Sequence, residues 1–121
     1  MKKKVVFISL PMSGFSDKYV KASIEIAKAA YLTITKLDIT QVAFVHNHDC
    51  TMIGHSEMDQ NHLAIWYLGE ALKRLAECDE AFFWLGWREA RGCQIEHDVC
   101  IRYGIPLVAI DVRNKNKEEY K

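Results

Sequence analysis

The stretch that decides the fold is "KVVFISLPMSGFSD", residues 4–17. Residues 4–10 form an apolar, partly β-branched run that stops at a cluster of turn-forming residues, which predicts a buried strand ending in a tight loop. Ser16 and Asp17 follow, and their side chains are suited to the N-cap of a helix. A buried strand that leads through a short loop into a capped helix is typical of an α/β protein.

The rest of the chain continues this alternation of apolar strands and amphipathic helices. Helices are predicted at residues 18–36, 61–77 and 91–104, the last closed by Gly104. Further strands are predicted at residues 41–48, 79–87 (running into a turn) and 105–112. The order predicts a single Rossmann-like or flavodoxin-like α/β domain over residues 1–121, with a parallel sheet of about four or five strands and helices on both faces. The tail at residues 113–121 is expected to fray.

Composition narrows the class of partner. Half of the 121 residues are hydrophobic, which is enough for one packed core, and sixteen basic residues balance sixteen acidic ones. Such a chain has no excess positive charge for gripping a nucleic-acid polymer or an anionic membrane, so we expect a small-molecule ligand. The four cysteines form no C-x-x-C pair, and the opening "MKKKVVFISLPM" has no small-residue cleavage site. We therefore expect a cytoplasmic protein with reduced thiols.

Ligands of such sheets bind beyond the carboxyl ends of the strands, where the loop after the first strand lies. The candidate binding residues in this loop are Ser9, Pro11, Met12, Ser13 and Gly14. A glycine permits close backbone approach, and the following helix presents free N–H groups to an anion. The loop has neither the full glycine fingerprint of a dinucleotide site nor a P-loop lysine, so a plain strand-to-helix turn is the alternative.

A second candidate segment, "LGWREARGCQIEH", spans residues 85–97 after the third strand. Gly86 and Gly92 bracket a bend, and the predicted helix begins near Gly92, which puts Glu96 in its first or second turn. The helix dipole favours the ionised form of a carboxylate there. An ionised, positioned carboxylate can attack an anomeric carbon as its leaving group departs. The alternative role for Glu96 is that of a helix-capping acid.

Two motifs extend this interpretation. "ISLPMSGFSD" (residues 8–17) and "LKRLAECDEAFFWLGWREARGCQIEHDVCIRYGIPL" (residues 72–107) resemble the nucleoside 2-deoxyribosyltransferase superfamily, particularly its short, often phage-encoded branch. The resemblance implies cleavage of the N-glycosidic bond of a nucleoside or nucleoside 5′-monophosphate. It also implies that Glu96 forms a glycosyl-enzyme intermediate, which water or a second base then resolves. No cofactor or metal is implied.

The sequence departs from the family pattern at three places. One is Ala90, six residues before Glu96, where the resemblance implies an aspartate or a serine. The resemblance implies an aspartate, which holds the ribose or protonates the base, at the position of Ala71. The neighbouring Glu70 is the second catalytic candidate, although one step along a helix rotates a side chain by about 100°. The arginine that deoxynucleotide hydrolases carry in the first loop is also missing, although Lys18 and Lys21 lie close by.

Four further residues complete the predicted binding site. Trp87 offers a flat ring that could stack on a base, and His46 follows the second strand at the same edge of the sheet. Gly92 and Cys93 open the third helix. Cys93 has an alternative role as a nucleophile, because a helix N-terminus lowers the pKa of a thiol, but no histidine base is placed for it. The group His46, His48, Cys50 and His55 has zinc binding as its alternative role, but its spacing is loose.

Two functions of different classes remain open. The first is an N-glycosidase or deoxyribosyltransferase that uses Glu96, and the intact glutamate motif favours it. The second is a non-catalytic protein that binds a nucleotide or nucleotide-like signal, and the missing aspartate and arginine favour that one. The resemblance also implies a homo-oligomer, for which the aromatic-rich helix at residues 61–77 is the predicted interface.

Overall fold

In the part of the chain that the structure describes, four parallel strands build the sheet and three α-helices connect them. The computed structural model describes residues 2–47 and 59–110, and for Gln60 the backbone alone. The strands are β1 (Lys4–Ser9), β2 (Val42–His46), β3 (Glu80–Phe83) and β4 (Leu107–Ala109). The helices are α1 (Asp17–Thr35), α2 (Gln60–Leu75) and α3 (Arg91–Tyr103), with short 3-10 turns at Ile39–Gln41 and Trp87–Glu89. The tail at residues 113–121 lies outside the described residues.

The strand order is β2-β1-β3-β4, and every neighbouring pair is parallel. From β1 the chain passes to β2 on one side and then crosses over β1 to β3 on the other, so the direction of winding changes between β1 and β3. This is the order of the first four strands of a flavodoxin-like sheet, whose ligands bind at that point. The predicted parallel α/β architecture is confirmed.

Helices cover both faces of the sheet, as predicted. Alternate side chains of β1 point to opposite faces, so Val6 and Ile8 pack towards α1 while Phe7 packs towards α2 and α3. The α1 face of the core contains the buried residues Val20, Ile24, Ala27, Tyr31, Val42 and Phe82. The opposite face contains Ala71, Leu75, Ala81, Phe83, Trp87, Cys93 and Cys100.

Both predicted helix caps are present. The Ser16 hydroxyl oxygen accepts a hydrogen bond of 3.1 Å from the Tyr19 N–H, and Gly104 ends α3 in the left-handed region with φ 73°. The third strand is shorter than predicted and ends at Phe83, because Gly86, with φ 88°, turns the chain into the 3-10 turn. None of the described helices has the length and apolar character that crossing a membrane requires.

The amino-terminal edge of the sheet is closed by charged side chains. Lys4 pairs with Glu80 at 3.0 Å, and the Tyr31 hydroxyl of α1 donates to the same carboxylate. Asp79 accepts a hydrogen bond of 2.8 Å from the backbone N–H of Val5. These contacts tie α1 and β3 to β1 at the edge opposite the candidate site.

Candidate functional site

The loops after β1 and β3 meet at the carboxyl edge of the sheet, where the winding changes direction. The Trp84 N–H donates a hydrogen bond of 2.9 Å to the Ser9 carbonyl, which continues the pairing of β1 with β3 one residue past the end of β3. A Cβ atom on Gly86 would lie 3.1 Å from Cγ of Pro11, so the second loop approaches the first so closely that only glycine fits without a shift. The two predicted segments therefore do meet.

Glu96 lies at the centre of this junction and is 1% exposed. Its Oε1 accepts a hydrogen bond of 2.6 Å from the Ser9 hydroxyl, which is itself fully buried at the end of β1. Glu96 shares the inner face of α3 with Cys93 and Cys100, three residues before it and four after it. Glu96 lies on the same helix face as the residues that pack α3 against the sheet, so this packing also places its carboxylate at the end of β1.

Glu96 does not cap α3. The helix begins at Arg91, so Glu96 is in its second turn, and the N-cap position belongs to Ala90, whose side chain makes no capping hydrogen bond. A carboxylate that is buried and bonded to another element has no capping function. The capping alternative is therefore wrong.

Burial raises the pKa of Glu96 to about 7, and the hydrogen bond from Ser9 opposes that rise. The direction is opposite to the one that the helix dipole predicts, because burial removes water from around the carboxylate and disfavours its charged form. Near neutral pH, Glu96 is therefore present in both protonation states. A carboxyl group with a pKa close to the working pH is typical of catalytic sites.

Cys93 lies beside Ser9 and Glu96, and its side chain is a neutral thiol. Burial raises its pKa to about 12, which exceeds the lowering effect of the hydrogen bond with Ser9. The expectation that the helix N-terminus lowers this pKa is therefore wrong, and since the thiolate is the nucleophilic form, the raised pKa argues against a Cys93 nucleophile. Cys93 is a buried neighbour of Ser9 and Glu96.

The loop after β1 is a closed turn. The Phe15 N–H donates to the Met12 carbonyl at 3.2 Å, and Gly14 takes φ 87°. Pro11 and Met12 are half-buried, whereas Ser13 and Gly14 are exposed at the surface. Of the predicted binding residues in this loop, Ser9 is the one with a hydrogen bond to the buried carboxylate among the described residues.

Gly92 leaves open space beside the first turn of α3. A Cβ atom at this position would meet nothing within 4 Å among the residues that the structure describes. The first N–H groups of α3 lie in the same turn, and Ala90 gives them no side-chain cap. This turn therefore combines room for a ligand with backbone donors.

Trp87 belongs to the core. It is 5% exposed, its indole N–H donates to the Ile110 carbonyl at 3.0 Å, and its ring stacks on His97 at 4.3 Å between centroids. A base cannot reach this ring without displacing packed neighbours. The burial of Trp87 therefore contradicts its predicted role in stacking on a base.

Glu70 does not take the place of the missing aspartate. Its carboxylate pairs with Lys73 on α2 at 3.1 Å, while Ala71 is buried in the core between α2 and the sheet. The two neighbouring residues face different directions, as the rotation between successive helical residues requires. Position 71 thus supplies no acid, and Glu70 is directed elsewhere.

The end of β2 adds a polar residue that sequence reasoning missed. His46 is half-buried opposite Ile8, and the next residue, Asn47, is buried, with its amide N–H donating to the Leu10 carbonyl at 3.4 Å. The Oδ1 atom of Asn47 accepts no hydrogen bond from the residues that the structure describes. A polar residue directly after an apolar strand was the available signal, but the predicted strand ran on to residue 48.

The structure describes only His46 of the four residues that the zinc alternative names. His48, Cys50 and His55 lie outside the described residues. Within residues 2–47 and 59–110, no group of three or more histidine, cysteine, aspartate or glutamate side chains is arranged to hold a metal ion.

Comparison with known proteins adds no relative. No protein-family model, no curated protein and no solved structure matches this chain.

Proposed function

We propose that this protein cleaves the N-glycosidic bond of a nucleoside or nucleoside 5′-monophosphate, with Glu96 as the nucleophile. The observation that carries the proposal is the buried Glu96 carboxylate, bonded to Ser9 at 2.6 Å, at the point where the winding of the sheet changes direction. The glutamate motif and the first-loop motif, which resemble those of the deoxyribosyltransferase superfamily, meet at this pair.

The reaction uses the ionised form of Glu96. A carboxylate oxygen forms a bond to C1′ of the sugar while the C1′–N bond breaks and its electron pair leaves with the base. Water, or a second base in the transferase version, then attacks C1′ and releases the carboxylate. Ser9 holds Oε1 by its hydrogen bond, which leaves Oε2 to attack.

Two features set requirements on the substrate complex. Glu96 is 1% exposed, so surrounding side chains or backbone must shift before a sugar reaches it. The departing base also needs a proton, and Ala71 cannot supply one. The base itself must therefore leave readily, or the proton must come from water or from a residue other than 71.

The second candidate is a non-catalytic nucleotide-binding protein. It is favoured by the burial of Ala71 in the core and by the pairing of Glu70 with Lys73, since both remove an acid from the implied position. In either version we propose a cytoplasmic homo-oligomer that acts on a small molecule, without a metal or cofactor.

A panel of nucleosides and nucleoside 5′-monophosphates, in ribo and deoxy forms, tests the proposal by chromatographic detection of free base. We expect base release by the wild type and by Glu70→Gln, and its loss in Glu96→Gln, which keeps the shape of the side chain. If no panel member were turned over, but one of them raised the melting temperature of both the wild type and Glu96→Gln, the enzyme proposal would fail. The protein would then be a non-catalytic binding protein.

A further inference from the structure

Helix α1 has two apolar faces, and the sheet covers only one of them. Val20, Ile24, Ala27 and Tyr31 are buried against the sheet. On the opposite face Tyr19 is 54% exposed and Ile26 is 58% exposed. A helix of a lone globular protein normally turns a polar face to water, so a second apolar face needs another partner.

The outer face forms a continuous seam. Its residues recur at alternating intervals of three and four, which places them in one line along the helix. They are Phe15, Tyr19, Ala22, Ile26, Ala29 and Thr33, and all are exposed. The first two rings stack on each other with 4.8 Å between centroids, so Phe15, which lies just before the helix, extends the seam by another turn.

Charged residues of α1 are kept off this seam. Asp17 pairs with Lys21 and Glu25 pairs with Lys28, each at 3.3 Å, along one side of the helix. These four charges pair within the helix. The remaining charged residue of α1, the exposed Lys18, flanks the seam, and its long side chain can keep the ammonium group in water when a partner covers the seam. An uncharged seam also needs no charged partner.

The seam is complementary to itself. Along the seam the side chains run large, large, small, large, small, small. A two-fold axis at the height of Ile24 therefore opposes each large residue to a small one. Two antiparallel copies of α1 would pair Ala22 with the partner's Ile26. The same operation pairs Tyr19 with the partner's Ala29, and Phe15 with the partner's Thr33. A contact of one patch with its own copy is the geometry of a symmetric dimer, and facing layers interdigitate when large residues lie opposite small ones.

We infer that the outer face of α1 is the dimer interface of this protein and that its occupant is the same face of a second copy. The two helices lie antiparallel, with Ala22 and Ile26 nearest to the two-fold axis. This inference depends on α1 alone and stands whether or not Glu96 is a nucleophile. It differs from the interface on α2 that the sequence predicted.

Charge insertion tests the location. Size-exclusion chromatography with light scattering should show a dimer for the wild type and a monomer for Ile26→Glu. Ile65→Glu is the matched control, because Ile65 is 67% exposed on α2, and this variant should remain a dimer. A monomeric wild type, or dissociation by Ile65→Glu but not by Ile26→Glu, would overturn the inference. Circular dichroism verifies that each variant is folded.

A size exchange tests the self-complementary geometry. Ala22→Leu makes the seam more apolar but fills the small position opposite the partner's Ile26, so it should weaken the dimer. Combining it with Ile26→Ala exchanges the large and small positions and should restore the dimer. If Ala22→Leu strengthened association, or if the double variant associated no better than Ala22→Leu alone, the paired geometry would be refuted.

Discussion

The Ser9 hydroxyl lies 2.6 Å from Oε1 of Glu96, and this hydrogen bond joins residues 87 positions apart in the chain. Ser9 ends the central strand β1, and Glu96 lies in the second turn of α3, which follows β3. The bond therefore spans the β1/β3 junction, the position at which sheets of this order bind their ligands. When Glu96 is ionised, this bond is a buried hydrogen bond to a charged group, which is worth about 1.5–3 kcal/mol.

Ser9→Ala should shift the pH dependence of base release. Only ionised Glu96 attacks, so the rate of the wild type should rise with pH through about 7. The Ser9 hydrogen bond lowers the pKa of Glu96, so its loss should move the midpoint of the pH–rate profile upward and reduce activity at neutral pH. Ser13→Ala, at an exposed position in the same loop, is the control and should leave the midpoint in place. An unchanged midpoint in Ser9→Ala would remove Ser9 as a positioning residue.

Glu96→Gln should change how stability depends on pH. The pKa of Glu96 is raised in the folded state from 4.5 to about 7, so between these values the folded chain binds more protons than the unfolded chain. The free energy of unfolding of the wild type should therefore fall as pH rises through this window, by on the order of 3 kcal/mol from this group. Urea unfolding at about pH 5 and about pH 8 measures the fall, which should be smaller by that amount in Glu96→Gln. If the free energy of unfolding depended on pH equally in the two proteins, burial would not raise the pKa of Glu96.

Trp87→Phe should lower stability without weakening ligand binding. The substitution removes the indole N–H that bonds to the Ile110 carbonyl and shrinks a ring stacked on His97. We expect a loss of about 1–3 kcal/mol in the free energy of unfolding, because a buried acceptor is left without its donor. Isothermal titration calorimetry with a panel ligand should give the wild-type affinity. A weaker affinity would return Trp87 to the binding site.

Gly86→Ala should be more damaging than Gly14→Ala, although both glycines have nearly the same left-handed φ, 88° and 87°. A Cβ on Gly86 would press on Pro11, whereas one on Gly14 would meet nothing within 4 Å among the described residues. Both variants lose about 1–2 kcal/mol to the left-handed conformation, and Gly86→Ala should lose more through the contact. Chemical denaturation of both proteins measures the difference. Equal losses would mean that the two loops do not need this close approach.

Local pattern was sufficient to predict the elements whose signals are local. The apolar run of β1, the Ser16 cap and the Gly104 cap are each set by residues next to one another in the chain, and each is present. The predicted end of β3 is too late: the strand ends at Phe83, and Gly86 then turns the chain where it passes close to Pro11 of the first loop. Sequence spacing does not contain that contact.

In the candidate site, too, features set by local sequence could be predicted and features set by packing could not. Glu96 could be singled out from its motif, and Ser9 from its place after β1. The sign of the pKa shift of Glu96 and the burial of Trp87 follow from packing between α3 and the sheet, which local spacing does not report. Asn47 was missed for a related reason, since its hydrogen-bond partner, the Leu10 carbonyl, lies 37 residues away in the sequence.

Trapping of the glycosyl-enzyme intermediate is the most direct test of the proposed chemistry. The protein would be mixed with the panel member that releases most base, quenched in acid, digested and analysed by peptide mass spectrometry. We predict one added pentose, or pentose phosphate, on the peptide that contains Glu96, and none in Glu96→Gln. Base release by Glu96→Gln at the wild-type rate, or the sugar on a different residue, would contradict Glu96 as the nucleophile.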